Sequence, residues 1–139
     1  MKTFVTLMLA ASSLMSLTAT AGEVHWETSL PAAQARAQKE GKPIFMDVWT
    51  DWCGWCTKLR TSTFPTPEAQ AALAGVVPLS LRTQDLQGKS TDEFGVQTKY
   101  KVEAYPMLIM LNADGTERAR NAGYLPPTQF AAWVRQHAK

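Results

Sequence analysis

The sequence predicts an α/β domain, a mixed central β-sheet flanked by α-helices. Helical and extended segments alternate along the chain, and two of the extended ones, 44–49 (IFMDVW) and 107–111 (MLIML), are almost continuously apolar. Such runs belong to central strands covered on both faces, because a half-exposed strand alternates apolar and polar residues. Length bounds the architecture. Residues 1–21 read as a cleaved signal peptide, with Lys2 as the positive n-region, an apolar h-region over 4–17 and Ala19-Thr20-Ala21 as a small-x-small cleavage site. The 118 residues left of 139 make one compact domain, 22–139.

The elements follow in order. Residues 23–27 are short and extended. Residues 30–40 (LPAAQARAQKE) are Ala-rich and end at Gly41, which predicts a helix, and Pro43 closes it before the first buried strand. That strand carries one carboxylate, Asp47. A helix is expected over 53–60, with Lys58 and Arg60 in its later turns, and residues 61–67 break the pattern. Thr66 then caps and Pro67 opens a second short helix to Leu73. Residues 76–81 read as a buried strand, 82–91 as a polar, solvated loop and 92–100 as a helix. After the strand 107–111, Asn112-Ala113-Asp114-Gly115 signals a hairpin into a charged edge strand over 116–121. Pro127 starts a last helix to His137 with Phe130, Trp133 and Val134 on one face.

Charge and hydropathy exclude several functions. The formal charge of +2 falls to +1 once Lys2 is removed, and no run of Lys or Arg offers a surface to nucleic acid or anionic lipid. The h-region is short and hydroxyl-rich, and no later stretch reaches the roughly 18 apolar residues of a membrane span. The expectation is an exported, periplasmic protein without stable membrane insertion, a monomer for want of a dimerisation segment. No cysteine follows the cleavage site to carry a lipid anchor.

The only two cysteines stand in Trp52-Cys53-Gly54-Trp55-Cys56, at the end of the first strand and the start of a helix. There, free backbone N–H groups and the helix dipole favour a thiolate on the first sulfur. A purely structural disulfide uses the same spacing, but so small a ring stabilises a fold by only about 2 kcal/mol. Zinc needs four ligands, and His25 and His137 are alone at opposite ends, where they read as surface residues. Asp47 either pairs with Lys58 or a backbone donor, or transfers protons. Trp49 and Trp52 read as packing around the motif, and Met107 and Met110 as core.

The run Asp47-Val48-Trp49-Thr50-Asp51-Trp52-Cys53-Gly54-Trp55-Cys56, with Tyr105-Pro106 before a later strand, resembles the thioredoxin superfamily. With Lys42-Pro43 and Thr63-Phe64 added, it is similar to exported thioredoxin-like proteins, among them the C-terminal periplasmic domain of the transmembrane thiol-disulfide reductase. The resemblance implies a thioredoxin-like fold and a two-step exchange with protein thiols and disulfides that needs no cofactor and no metal. Cys53 is then the attacking thiol, Cys56 the less exposed resolving thiol, the two forming the redox-active disulfide, and Asp47 the buried carboxylate that carries the resolving thiol's proton. Pro106 matches the proline the family holds cis beside the disulfide. Trp52, Gly54, Trp55 and Tyr105 complete the substrate groove.

The chain departs from the pattern inside the motif. Thioredoxins have Gly-Pro where this chain has Gly54-Trp55, and Tyr105 replaces the smaller residue that commonly precedes the proline. With no histidine or lysine between the cysteines, the expected direction is reduction, which requires a membrane electron-transfer partner. A non-catalytic module that holds a partner around Trp55, Tyr105 and Pro106, with the disulfide as a clamp, uses the same residues; binding that survives replacement of both cysteines by serine would identify it.

Overall fold

The computed structural model describes residues 23–139, and the signal-peptide reading of 1–21 lies outside the described residues. The elements are α1 (Leu30–Glu40), β1 (Ile44–Thr50), α2 (Gly54–Lys58) continued by a π-helical turn (Leu59–Thr63), α3 (Pro67–Leu73), β2 (Val77–Gln84), α4 (Val96–Lys99), β3 (Met107–Leu111), β4 (Glu117–Ala122) and α5 (Pro127–His137). The sheet order is β2-β1-β3-β4, with β1 parallel to β2 and antiparallel to β3, and β4 antiparallel on the edge.

Alternation along the strands divides the core into two layers. Ile44, Met46 and Val48 of β1 and Met107, Ile109 and Leu111 of β3 pack with Leu30, Ala33 and Ala37 of α1 and Val96 of α4. Phe45, Leu108 and Met110 point the other way, against Leu59, Leu73, Phe130 and Val134. Both central strands are therefore buried on both faces, which is why their sequences do not alternate. The rings of Trp26, Phe64, Phe130 and Trp133 surround Phe45 with centroids 5.3–6.2 Å away. Phe45→Ala should lower stability by about 3–5 kcal/mol, read as a shift of the urea midpoint at unchanged slope.

Local chemistry sets the boundaries. Ser29 accepts the Ala32 N–H at the start of α1, and Gly41, at φ 64°, ends the helix in a left-handed conformation. Thr66 does the same for α3, accepting from Ala69 N–H. In the β3–β4 turn, Gly115 has φ 87°, and a side chain there would meet Gln34 Nε2 at 2.6 Å; its carbonyl accepts from Tyr100 OH at 2.8 Å.

Three elements differ from the sequence expectation. The helix after the cysteines does not break at residue 61: it widens into the π turn, closed by Phe64 N–H to Leu59 O at 3.0 Å. Threonine hydroxyls compete for the carbonyls along it, with Thr61 Oγ1 donating to Thr57 O and Thr63 Oγ1 tied outward to Leu125 O. The second strand runs on to Gln84, so residues 82–84 are strand rather than loop, because a bulge between Trp49 and Thr50 brings Thr50 opposite Gln84. The expected 92–100 helix shrinks to Val96–Lys99. Gly95 at φ 62° cannot continue a helix, and Asp92 instead spends its carboxylate capping the Val96 and Gln97 N–H groups.

Candidate active site

Strand β1 delivers the chain to the cysteines and the following turn aims them. Cys53 is the N-cap of α2, with extended backbone angles, and its Sγ accepts the Cys56 N–H at 3.1 Å while its carbonyl accepts from Thr57 N–H. Cys53 and Cys56 are joined in a disulfide with their Cα atoms 5.3 Å apart. Both are largely covered, Cys53 at 5% exposure and Cys56 at 1%. The sulfur nearer solvent is also the one that receives a backbone N–H, an arrangement that stabilises negative charge on Cys53 once the bond is reduced.

Asp47 lies on the sheet face shared by Phe45, opposite Ser80 of β2 and Leu108 of β3. It is fully buried, and no protein group donates to either carboxylate oxygen. Burial pushes its carboxyl from 3.8 up to about 7, against the opposing pull of the Arg60 charge. The sequence expected Lys58 or a backbone donor as its partner, and neither is present. Lys58 is drawn instead to the rings of Trp55 and Tyr124, 5.0 Å from each centroid.

Two aromatic pairs are built on the residues next to the cysteines, Trp52 with Tyr105 and Trp55 with Tyr124. Trp52 and Trp55 are 50% and 58% exposed. Trp52 stands edge-on to Tyr105 at 5.6 Å and donates its Nε1–H to Gln84 Oε1. Tyr105 is held in turn by the Thr83 hydroxyl, and its bond to Pro106 is cis. Trp55 lies against Tyr124 at 5.7 Å. Arg82 pairs with Asp51 at 2.8 Å just before the motif. Gly54 is exposed, and a side chain there would meet nothing within 4 Å.

Of the residues expected from the sequence, Cys53 and Cys56 form the disulfide, Trp52, Gly54 and Trp55 adjoin it in the chain, Tyr105-Pro106 contacts Trp52 through the Tyr105 ring, and Asp47 lies buried in β1; Arg60, Gln84 and Tyr124 were not among those expected. A signal existed for Arg60, four residues beyond Cys56 and so on the same face of a continuing helix. None existed for Tyr124, which arrives from the connection between β4 and α5. His25 sits 3.8 Å from Glu27 and His137 stacks on Trp133, both away from the cysteines in sequence and in packing.

A parallel strand ending in a Cys-x-x-Cys pair that caps the next helix, with a buried carboxylate in the same strand, defines a dithiol–disulfide site on an α/β scaffold. A family model described as a thioredoxin-like domain matches residues 30–138. The chain belongs to the thioredoxin-like domain family. The thiol:disulfide interchange protein DsbD of Klebsiella pneumoniae subsp. pneumoniae is 32% identical over 104 residues, which are 73% of this chain and 17% of that protein. The chain therefore spans about a sixth of the length of such relatives. Among solved structures, the oxidised C-terminal domain of Neisseria meningitidis DsbD superposes with TM-score 0.65 at 22% identity, over 81% of this chain and 99% of that one. A thioredoxin from Thermus thermophilus gives 0.68 at 22% identity, over 81% and 85%. At these identities the structures establish the shared fold.

Proposed function

We propose that the protein is an exported reductant of protein disulfides, a monomeric domain of residues 22–139 released by cleavage after residue 21 and recharged by a dithiol partner at the membrane. The observation that carries this reading is the Cys56 N–H donated to Cys53 Sγ at 3.1 Å, which supports Cys53 as the nucleophile. The reading of residues 1–21 as an export signal supports the location, and among the described residues no helix is long and apolar enough to cross a membrane. The uncharged Gly54-Trp55 pair supports the reducing direction, since neither residue adds a positive charge to hold Cys53 as a thiolate.

The reaction runs in two steps. The Cys53 thiolate attacks one sulfur of a client disulfide, forming a mixed disulfide and releasing the other client sulfur as a thiolate. Asp47 then takes the Cys56 proton through water. The Cys56 thiolate attacks Cys53 Sγ, the bond from Cys53 to the client breaks, and the client leaves with a second thiolate. Two electrons pass from the protein dithiol to the client disulfide, and the membrane dithiol returns them. Trp52 and Tyr105 on one side of Cys53, and Trp55 on the other, supply the surface on which the client chain rests, beside Gly54 and Pro106.

Cys56→Ser should trap clients on Cys53 as mixed disulfides that dithiothreitol releases. No trapped species, together with a Cys53 thiol titrating near an ordinary value of about 8.5, would remove the proposal. The reduction potential of the pair tests the direction: a value near about −270 mV fits a reductant and one near about −120 mV an oxidant.

A further inference from the structure

We propose that Arg60 is a positioning residue for the exchange reaction, supplying from the helix side the counter-charge that lets Asp47 accept the Cys56 proton. The inference rests on the dithiol exchange proposed above and extends it to a residue outside the motif.

Three buried polar atoms are left without partners in this layer of the protein: both carboxylate oxygens of Asp47 and Nη1 of Arg60. An unsatisfied charge in the interior is strongly unfavourable, and opposite charges on Asp47 and Arg60 offset one another. The position of the guanidinium is fixed. It lies over the Trp49 ring, Cζ 3.6 Å from the centroid, and Trp49 alternates onto the same sheet face as Asp47. Trp49 is itself pinned by its Nε1–H to Ser80 Oγ at 2.8 Å, and Ser80 is the β2 register partner of Asp47. Arg60 is thus held against an aromatic ring that is anchored to the register partner of the carboxylate.

No other cation acts on Asp47 among the described residues. Its neighbours across the sheet, Ser80 and Leu108, are neutral, and α3 and α5 cover this face with apolar side chains. Lys58 is held by Trp55 and Tyr124. The direction of the Arg60 effect, lowering the Asp47 carboxyl against burial, agrees with this placement.

The Arg60 side chain also lines a cleft of about 510 Å³ together with Ser80, Trp26, Phe64 and Glu23, whereas the cysteines, Trp52, Trp55 and Tyr105 take no part in its lining. Water thus reaches Arg60 from a flank that a client resting on the cysteine face does not cover. As Cys56 attacks Cys53 Sγ and the client sulfur departs as a thiolate, the proton left on Asp47 has an exit beside Arg60.

The test uses the reduced protein with 5,5′-dithiobis(2-nitrobenzoate), which releases one thionitrobenzoate on attack by Cys53 and a second on attack by Cys56. In Arg60→Met the pH midpoint of the second release should rise by about one unit, making it about tenfold slower below the midpoint, while the first release keeps its profile. Arg60→Lys should restore most of the shift and Glu23→Gln should leave it unchanged. Arg60→Gln replaces the methionine variant if the latter fails to fold by circular dichroism. A second release that superimposes on wild type, or two releases that slow together, would overturn the role of Arg60. If Asp47→Asn also left the second release unchanged, the proton-transfer reading of Asp47 itself would fall instead.

Discussion

Oxidised Asp47→Asn is expected to be more stable than the wild type at pH 8 by about 1–3 kcal/mol, and no more stable at pH 4. The folded carboxyl titrates at about 7 against 3.8 for the ordinary group. Between these values the folded protein keeps the proton and the unfolded chain releases it, so raising the pH favours unfolding. Wild-type stability therefore falls from about pH 4 to about pH 7 and levels off above, a total of about 4 kcal/mol. Asparagine keeps the shape and carries no charge, although its amide inherits a site without hydrogen-bond partners, which returns about 1–3 kcal/mol of the gain. Urea unfolding at pH 4, 6 and 8 checks this, and parallel pH dependences in the two proteins would show that Asp47 is not the source. The same substitution should slow the resolving step by about 100-fold or more, so stability and activity move in opposite directions at this residue.

Cys53→Ser should eliminate reaction with disulfides, by at least about 100-fold against the same probe, and leave the fold in place. Serine is a preferred N-cap, so its hydroxyl can take over the Cys56 N–H that the sulfur accepts in the native protein. The small ring lost with the disulfide stabilises by only about 2 kcal/mol. The remaining thiol, Cys56, is 1% exposed and lacks the cap position, so it should alkylate slowly in the folded protein and rapidly in urea. Cys56→Ser is the counterpart, retaining the first attack and losing the second. Rapid modification of Cys56 in folded Cys53→Ser would reverse the assignment of nucleophile and resolver.

Most of the scaffold was legible because it depends on neighbours in sequence. The continuous apolar runs marked β1 and β3, Gly41 ended α1, Thr66-Pro67 opened α3 and Pro127 opened α5. What escaped depends on partners far along the chain. The π turn is tied at Thr63 to Leu125, sixty-two residues away. The polar residues 82–84 hold to β1 across a bulge, and only in the folded sheet does Gln84 meet Trp52. The cysteine motif is visible in its own spacing and Asp47 as a lone carboxylate in an apolar run, so both could be singled out in advance. The absence of a partner for Asp47 could not, because whether Lys58 turns inward is decided by Tyr124, sixty-six positions later.

Gly54 occupies the first helical position after Cys53, and among the described residues nothing beyond its own turn of chain comes within 4 Å of where its side chain would grow. Alanine is favoured over glycine in helices by about 1 kcal/mol, so the scaffold gives no reason for the smaller residue. The ground beside the sulfur is bare, and on the proposed function it is the client chain that comes to rest there. A side chain at this position would then alter the fit of a client while leaving the architecture beneath it untouched.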